Sequence, residues 1–267
     1  MAIPAPRPGH AALVTGASSG IGEELVRELA TRGHDVVLVA RRRDRLENLA
    51  TEVRDKHQRR AEVLPCDLAD PDDRVRMLRE LGELGLALDV LVLCAGFGMV
   101  GPFLGNDPDR ITLMMRTNVE STVALARLLT PAMVERRSGA LLFVSSMAGN
   151  QPMPNFAPYA ATKAAITSIA QALHCELKPF GVTVTAMCPA SVSTEFSEIA
   201  DGAEQAKRQP AFLTATPRQC ATAGLDALAD GRRTVVPLLS ARVFASIAAR
   251  LPRALWLPIC RKMLQGA

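Results

Sequence analysis

A tyrosine and a lysine four residues apart are the first pair in this sequence whose types and spacing suggest chemistry. Tyr159 is the only tyrosine among the 267 residues, and Lys163 follows it within a segment of helical periodicity. Side chains four residues apart on a helix share a face, so an ammonium group would lie near the phenol. A nearby positive charge favours the phenolate and lowers the phenol pKa toward neutral pH. We therefore expect Tyr159 to exchange a proton with a substrate oxygen; the pair alone also fits a surface tyrosine beside a surface lysine.

A pair of serines supports the first interpretation. Ser145 and Ser146 end the apolar run that begins at residue 140 and has the length of a buried strand. Ligands of open α/β sheets bind beyond the carboxyl ends of the parallel strands. The interval from Ser146 to Tyr159 is long enough for a loop, so both hydroxyl groups are predicted to lie at that edge.

A glycine-rich turn near the amino terminus predicts a site for phosphate groups. The first apolar run leads into TGASSGIG at 15–22 and then directly into a helix. Glycines let the backbone turn tightly beside a pyrophosphate, and the helix N-terminus offers free N–H groups to an anion. An ordinary tight turn is the alternative for such a motif in isolation, but its place after the first strand favours a dinucleotide. The residues expected to contact the cofactor here are Gly16, Ser18, Ser19, Gly20, Ile21 and Gly22.

Basic residues after the second apolar run indicate which dinucleotide binds. A carboxylate at this point would bind the adenosine ribose and select NAD(H), whereas arginine accommodates the 2′-phosphate of NADP(H). The chain has Arg41, Arg42 and Arg43 here, and the first acidic residue is Asp44. A guanidinium group matches the geometry of a phosphate dianion. We predict NADP(H) in preference to NAD(H), with Arg41 and Arg42 at the phosphate.

Alternating strand-like and helical segments predict the frame that positions these residues. The strand-like runs are 11–15, 35–40, 61–66, 89–96, 140–146, 182–188 and 233–237. Helical periodicity marks 21–33 and 72–84 between them. Near-continuous apolar runs are expected for strands covered on both faces, and the alternation predicts a parallel sheet with right-handed crossovers. The expected fold is therefore a single α/β domain.

Composition and charge exclude several other classes of protein. Hydrophobic residues make up 48% of the chain and charged residues 22%, which excludes global disorder, and a net charge of +4 is too small to indicate nucleic acid. The six cysteines form no Cys-x-x-Cys pair and the four histidines lack metal-ligand spacing, so we expect neither disulfides nor a metal site. Prolines interrupt the amino terminus, and no apolar stretch reaches 18 residues. We expect a cytoplasmic protein without a signal peptide or a spanning helix.

Two segments depart from the alternating pattern. Residues 190–217 have mixed polarity and are interpreted as a substrate flap, after which Thr216 has the features of a helix N-cap. Residues 238–267 form a basic, apolar tail, since seven basic and no acidic residues occur from Arg232 onward. Its helical face consists of Val243, Phe244, Ile247, Ala248 and Leu251. The tail is open to three interpretations: packing against another subunit or its own domain, a lid, or peripheral contact with an anionic membrane.

Together these motifs resemble the short-chain dehydrogenase/reductase family over about residues 9–237. The resemblance is carried by TGASSGIG, by Asn118 within RTNVE, by VSSMAG ending at Gly149 and by YAATK. It implies a doubly wound Rossmann domain over 1–237 and a tetrad of Asn118, Ser146, Tyr159 and Lys163. It further implies that Tyr159 is the general acid–base and that Ser146 holds the substrate oxygen. Lys163 would bind the nicotinamide ribose and lower the Tyr159 pKa, and Asn118 would support a water-linked proton relay.

The resemblance also implies further contacts with the cofactor. Asp67 and Leu68 match the adenine-contacting position, and Thr194 matches the residue that touches the nicotinamide carboxamide. The remaining cofactor residues on this basis are Ala95, Gly96, Asn118, Tyr159, Lys163 and Pro189.

At two positions the chain departs from the family pattern. Cys94 stands where the family usually has asparagine, which puts the packing between neighbouring strands in doubt. Ala190 stands where the family usually has glycine, and an alanine there would need a different backbone if the position requires a positive φ. Neither departure removes a member of the tetrad.

The residues expected on the substrate side are mostly apolar. They are Phe97, Met99, Val100, Met147, Met153, Pro154 and Phe156, with Phe196 and Phe212 from the flap. Methionines make an adaptable wall, so the set favours an apolar ketone or secondary alcohol over a sugar phosphate. The stretch GFGMVGPF and the tail resemble ketoacyl and hydroxysteroid reductases.

The predicted function is an NADP(H)-dependent carbonyl reductase, reversible as an alcohol dehydrogenase. A non-catalytic NADPH-binding regulator or scaffold is the alternative from another class. A sugar epimerase is a third, but 267 residues leave no room for the larger substrate domain of such enzymes. We expect a homo-oligomer, either a dimer or a tetramer.

Overall fold

A parallel sheet of seven strands forms the centre of the computed structural model, which describes residues 3–196, 200 and 213–265. Over those residues the strands are β1 (His10–Thr15), β2 (Asp35–Ala40), β3 (Ala61–Pro65), β4 (Ala87–Leu93), β5 (Gly139–Val144), β6 (Val182–Met187), β7 (Ser191–Val192), β8 (Thr214–Ala215) and β9 (Thr234–Val235). The order across the seven-stranded sheet is β3-β2-β1-β4-β5-β6-β9, and β7 and β8 form a separate pair. The strand order reverses between β1 and β4, so the doubly wound fold that the resemblance implies is confirmed.

Helices cover both faces of this sheet. In the described part of the chain they are α1 (Gly20–Thr31), α2 (Arg43–His57), α3 (Pro71–Glu83), α4 (Pro108–Met115), α5 (Ser121–Glu135), α6 (Ala157–Leu177), α7 (Pro217–Ala229), α8 (Leu239–Arg250) and α9 (Arg253–Gln265). Successive strand residues point into different cores. Ala12 and Val14 of β1 pack with α1, α2 and α7, whereas Ala11 and Leu13 pack with α3, α5 and α6. This double burial explains why the strands have near-continuous apolar runs.

Several strands end earlier than their apolar runs predict, and two of them precede segments at the carboxyl edge of the sheet. β4 ends at Leu93 rather than at Gly96, and β5 ends at Val144 rather than at Ser146. The residues directly after each of these strands are still buried or half-buried, but their backbone has left the sheet. The turns place both segments at the carboxyl edge of the sheet, where a ligand would bind.

The two departures from the family pattern cause no distortion of the backbone. The hydroxyl of Thr15 accepts hydrogen bonds from the backbone N–H groups of Cys94 and Ala95, at 3.0 and 3.1 Å, and donates to the Val92 carbonyl at 3.3 Å. These bonds tie the end of β1 to the loop after β4. Ala190 does not adopt a positive φ, so alanine is accommodated there without strain.

The flap contains more regular structure at its base than its mixed polarity predicts. Two-residue strands β7 and β8 pair in parallel there, so residues 190–217 are not wholly irregular. Thr216 begins α7 as predicted, in a capping box with Gln219. Phe212 lies outside the described residues, as do 197–199 and the rest of 201–212.

The tail folds back onto the catalytic part of the chain as two helices. The Trp256 indole donates to the Pro152 carbonyl at 3.0 Å, and the Gln151 amide donates to the Ala248 carbonyl at 2.8 Å. Both bonds join α8 and α9 to the loop that follows Ser146. The tail therefore packs against its own domain, beside the residues predicted to bind substrate.

Candidate active site

One cavity of about 590 Å³ joins the glycine-rich turn to the tail helices. It lies where β1, β4, β5 and β6 end, and almost every predicted site residue lines it. The predicted residues along its wall are Gly16, Ser18, Ser19, Gly20, Ile21, Gly22, Arg41, Arg42, Asp67, Leu68, Ala95, Gly96, Phe97, Val100, Ser146, Met147, Met153, Phe156, Tyr159, Lys163, Pro189, Thr194 and Phe196. The fold thus brings segments from across 180 residues of sequence to one surface. The role of each residue stays a prediction.

The glycine-rich turn has no space for side chains at two of its glycines. Gly16 has a φ of +70°, and a Cβ atom there would lie 2.9 Å from the Ala95 Cα atom. A Cβ atom on Gly22 would lie 2.2 Å from the Gly16 carbonyl oxygen, so the turn folds tightly onto the first turn of α1. Within the described residues, the Ser19 side chain at the N-cap of α1 accepts no capping hydrogen bond. The helix N-terminus therefore presents its amide groups to the cavity, as a pyrophosphate requires.

Arg42 lies directly over this turn. Its guanidinium donates to the Ser19 hydroxyl at 2.8 Å and to the Ser18 hydroxyl at 3.1 Å. Arg41 also lines the cavity, but its side chain is exposed. The geometry therefore gives Arg42 the more central place of the two predicted phosphate ligands. A basic group, a glycine turn and an uncapped helix end together fit a dinucleotide that carries an extra phosphate.

A flap carboxylate that the sequence did not single out contacts the same arginine. Glu195 accepts from Arg42 at 3.1 Å and from Arg45 at 2.8 Å. Arg45 and Arg42 hold the pKa of Glu195 below its usual range. No local pattern marks this residue, because its partners lie about 150 positions earlier in the chain. Glu195 thus occupies one side of the guanidinium to which a 2′-phosphate would bind.

Tyr159 is a buried phenol that lies beside the Ser146 side chain. Its ring packs between those of Phe156 and Phe196, at centroid distances of 4.7 and 5.4 Å. Burial raises the Tyr159 pKa above its usual value, and the nearby Ser146 side chain offsets only part of that shift. The expectation that Lys163 lowers this pKa is wrong for the cofactor-free protein, because removing water from the phenolate outweighs any effect of the ammonium group. Tyr159 is therefore protonated at neutral pH and able to donate its proton.

Lys163 points toward the floor of the cavity from the next turn of α6. Its ammonium donates to the Val144 carbonyl at 2.9 Å and lies 5.8 Å from the centroid of the Tyr159 ring. Burial lowers the Lys163 pKa to about 8, against a smaller opposing effect of the nearby Cys94 and Cys188 thiols. Lys163 therefore shares a face of α6 with Tyr159, as the spacing predicts. Its ammonium group loses its proton at a lower pH than an exposed lysine does.

A close approach of backbone to backbone brings Ser146 to this pair. A Cβ atom on Gly149 would lie 2.5 Å from the carbonyl carbon of Lys163, so only glycine lets the turn after Ser146 pack against α6. Ser145 adds a hydrogen bond of 2.8 Å to the Lys163 carbonyl. The Ser146 side chain accepts from the Ala148 N–H at 3.1 Å, which fixes the start of the turn. The position of Ser146 therefore depends both on the contact of Gly149 with α6 and on the hydrogen bond that the Ser146 hydroxyl accepts.

Asn118 lies deeper than the other tetrad members, within a π-helical turn at Arg116–Glu120. Its side-chain amide donates to the Phe97 carbonyl at 2.9 Å and to the Thr162 hydroxyl at 3.1 Å, and its oxygen accepts from the Phe97 N–H at 3.0 Å. These bonds hold the loop after β4 against α6. The structure shows this positioning, and the proton relay stays a prediction.

Aromatic and sulfur-containing side chains form the opposite end of the cavity. Phe97, Met153, Phe156 and Phe196 pack around Tyr159, as predicted for the substrate side. The tail contributes further lining that the sequence did not assign to the site: Phe244, Ala245, Ala248, Trp256 and Cys260. The prediction that Val243 and Ile247 share one face of α8 with Phe244 and Ala248 is wrong, because Phe244 and Ala248 line the cavity whereas Val243 and Ile247 are exposed.

The chain matches the family model described as short chain dehydrogenase over residues 10–204. It is 31% identical over 261 residues to the very-long-chain 3-oxoacyl-CoA reductase of Homo sapiens, covering 96% of this chain and 80% of that protein. It is 33% identical over 228 residues to a short chain dehydrogenase of Pseudocercospora fijiensis, covering 82% and 73% of the two chains.

Among solved structures, a short-chain dehydrogenase from Sphingobium yanoikuyae in complex with NADPH superimposes with a TM-score of 0.81. The two chains are 32% identical, with 90% of this chain and 93% of that one covered.

Proposed function

The chain belongs to the short-chain dehydrogenase family of oxidoreductases, and we propose that it reduces apolar ketones with NADPH. The observation that carries this proposal is the continuity of the cavity. Arg42 and the glycine turn lie at one end, Tyr159 and Ser146 at the middle, and an aromatic wall at the other end. A dinucleotide bound at the first end would extend toward a carbonyl group held at the middle, and the apolar part of the substrate would lie against the aromatic wall.

NADP(H) is the cofactor that the residues of the turn fit best. Arg42, Ser18 and Ser19 would hold the 2′-phosphate, and the N-terminus of α1 would hold the pyrophosphate. When bound, the cofactor supplies a hydride to the carbonyl carbon. The related Sphingobium enzyme was solved with NADPH, which supports the same preference here.

The chain's own residues handle the proton and the orientation of the substrate. The Ser146 hydroxyl, which lines the cavity beside Tyr159, would hold the carbonyl oxygen. Tyr159 would give its phenolic proton to that oxygen as the carbon accepts the hydride, so a ketone becomes a secondary alcohol. A phenol whose pKa is raised by burial starts this step in the protonated form that reduction needs.

The aromatic wall supports an apolar substrate. Met153, Phe196, Phe244 and Trp256 offer no charged group to a sugar or a phosphate on that side of the cavity. The human relative is a 3-oxoacyl-CoA reductase, so a 3-oxoacyl thioester belongs among the candidate substrates beside bulky aryl ketones.

We further propose that the protein is cytoplasmic and forms a homo-oligomer. The free cysteines support the reducing compartment.

The test is oxidation of NADPH and NADH, followed at about 340 nm, over a panel of aryl ketones, steroid ketones and 3-oxoacyl thioesters. We expect turnover of at least one apolar ketone, faster with NADPH than with NADH. Sugars of similar size should be left unreduced, and they serve as the control for pocket polarity.

Two results would contradict the proposal in different ways. Turnover that favours NADH would remove the assignment of Arg42 to a phosphate but would leave the oxidoreductase intact. Tight binding of NADPH without turnover of any panel member would favour the non-catalytic regulator instead.

A further inference from the structure

The two tail helices carry a second surface on the side away from the cavity. Ala241 and Ala248 of α8 are buried, at 0% and 5% exposure, and they face the domain. Leu239, Val243 and Ile247 follow one another at four-residue spacing on the other side of the helix, and Val243 and Ile247 are more than half exposed. The helix is therefore apolar on both faces, and only one face is covered by the described residues.

Helix α9 also has exposed apolar side chains, on the flanks of its buried face. Trp256 and Cys260 are buried against the domain, at 6% and 3% exposure. Leu255 and Ile259, one turn apart, remain 57% and 47% exposed. We call the exposed apolar residues of the two helices the tail surface: Leu239, Val243, Ile247, Leu255, Leu257 and Ile259.

Positive charge surrounds the tail surface. The exposed basic residues of the two helices are Arg242, Arg250, Arg253, Arg261 and Lys262. The last acidic residue of the sequence is Asp230, so no carboxylate side chain within the tail balances them. Apolar side chains beside unbalanced arginines match the two components of an anionic bilayer surface, acyl chains and lipid phosphates.

We propose that the tail surface docks on an anionic membrane, with its leucine, isoleucine and valine side chains in the headgroup boundary. A second copy of this chain is a poorer occupant, because a two-fold pairing would place the same basic residues opposite one another. No helix in the described part of the chain is long and apolar enough to cross a bilayer, so the contact is peripheral.

The position of the tail surface gives this contact a use that depends on the proposed function. Trp256 and Phe244 line the cavity from the inner faces of the same two helices. Docking would place the cavity wall about 10 Å from the lipid, the width of one helix. An apolar ketone dissolved in the bilayer would then have a short path to Tyr159.

The test is co-sedimentation with vesicles of phosphatidylcholine alone and of phosphatidylcholine mixed with phosphatidylserine. We expect wild type to pellet with the mixed vesicles at low salt and to be released at high salt. The variants are Val243→Ser combined with Ile247→Ser, and Arg253→Glu. Each should bind at least about fivefold less protein to the mixed vesicles.

Matched controls come from α3, on another part of the surface. Val75 is 67% exposed, and Arg79 is an exposed arginine near Glu83. Val75→Ser and Arg79→Glu should bind vesicles like wild type. Arg253 is the first residue of α9, where glutamate suits the helix dipole, so Arg253→Glu should not unfold the helix. Circular dichroism and NADPH binding check that every variant is folded.

Three results would overturn the proposal. Wild type that stays in solution with the mixed vesicles excludes the membrane. Equal loss of binding in the α3 controls would show that general charge and hydrophobicity suffice. A dimer in light scattering that the tail variants dissociate would assign the surface to a second copy. None of these readouts needs turnover, so they are independent of the proposed reaction.

Discussion

The two ends of the cavity are built in different ways. At the cofactor end, the glycine-rich turn after β1 packs tightly on its own backbone. The hydroxyls of its Ser18 and Ser19 accept hydrogen bonds from Arg42, which follows β2. At the substrate end, the rings of Phe156 and Phe196 pack around Tyr159, and aromatic rings from the tail line the same cavity. The two hydrogen bonds that anchor the tail join residues 97 and 104 positions apart.

The two ends therefore differ in how strictly their function constrains the residues that form them. A phosphate-binding turn needs particular backbone angles and helix-end amides, and little else satisfies the same geometry. An apolar wall needs volume and shape, and many residues supply these. We therefore expect changes at the cofactor end to alter binding of one defined ligand, and changes at the substrate end to alter preference among many.

The largest effect is expected where the two ends meet. Tyr159→Phe should lower kcat by about 10²- to 10⁴-fold, because the variant has no proton to donate, while NADPH binding stays unchanged. Steady-state reduction of the best ketone measures the first quantity and fluorescence titration the second. Phe156→Leu, which keeps the phenol, is the control. Turnover within tenfold of wild type would remove Tyr159 from the proton step.

The cofactor end is tested by comparing two neighbouring arginines. Arg42→Ala should weaken NADPH binding by at least about tenfold, the scale of a lost charge-assisted hydrogen bond, and leave NADH binding unchanged. Arg41→Ala is the matched control and should lose less, since Arg42 contacts both serines of the turn. Titration of each variant with both cofactors measures this. A larger loss at Arg41 would reverse the assignment.

Stability against pH tests the buried lysine between the two ends. Between pH 8 and 10.5 Lys163 is neutral in the folded protein but protonated in the unfolded chain, so unfolding takes up a proton and stability rises with pH. This contribution of Lys163 lowers the unfolding constant by nearly tenfold per pH unit. Above about pH 9 the buried thiols of Cys66, Cys94, Cys188 and Cys220 act in the opposite direction, because burial raises their pKa values. Lys163→Met should remove the lysine contribution alone. Urea unfolding at several pH values gives the difference between the two proteins; parallel curves would contradict a lowered lysine pKa.

At the substrate end, Trp256→Ala should change the preference among ketones. Loss of the indole removes wall area and the bond to Pro152, so KM for bulky ketones should rise by about tenfold and KM for a small ketone should change little. Trp256→Phe keeps most of the area and is the control. An equal change for both sizes of ketone would show that Trp256 supports the fold rather than the pocket.

The smallest effect concerns the flap carboxylate that shares Arg42. Glu195→Gln removes an exposed negative charge from beside the expected 2′-phosphate, so NADPH affinity should improve by about threefold and NADH affinity should not change. Glu47→Gln, at an exposed pair with Arg43, is the matched control. Equal improvement for both cofactors would mean that Glu195 acts on the flap alone.

The sequence predicts the parts of the site that are local. Apolar runs gave the order of strands and helices, and TGASSGIG, Arg42, Ser146 and the Tyr159–Lys163 pair all lie on the cavity where local rules place them. Gly149 is required at its position because only glycine permits the close contact between its backbone and α6. These features depend on spacing within one segment or on a steric limit of one residue.

The parts that were missed depend on contacts between distant segments. Nothing near Glu195 or Trp256 in the chain indicates Arg42 or Pro152 as a partner, because folding alone brings them together. The raised Tyr159 pKa was missed for a related reason. The spacing shows that Lys163 is near, but only the packed rings show how completely water is removed from the phenol.

Transfer of deuterium from labelled NADPH tests the central claim most directly. The protein would be incubated with NADPH that carries deuterium at both hydrogen positions of nicotinamide C4, together with the best apolar ketone, and the alcohol examined by mass spectrometry. We predict one deuterium on the carbinol carbon with wild type and, over the same incubation time, about a hundredth as much labelled alcohol or less with Tyr159→Phe. A labelled cofactor that binds and leaves every apolar ketone without deuterium would contradict the account.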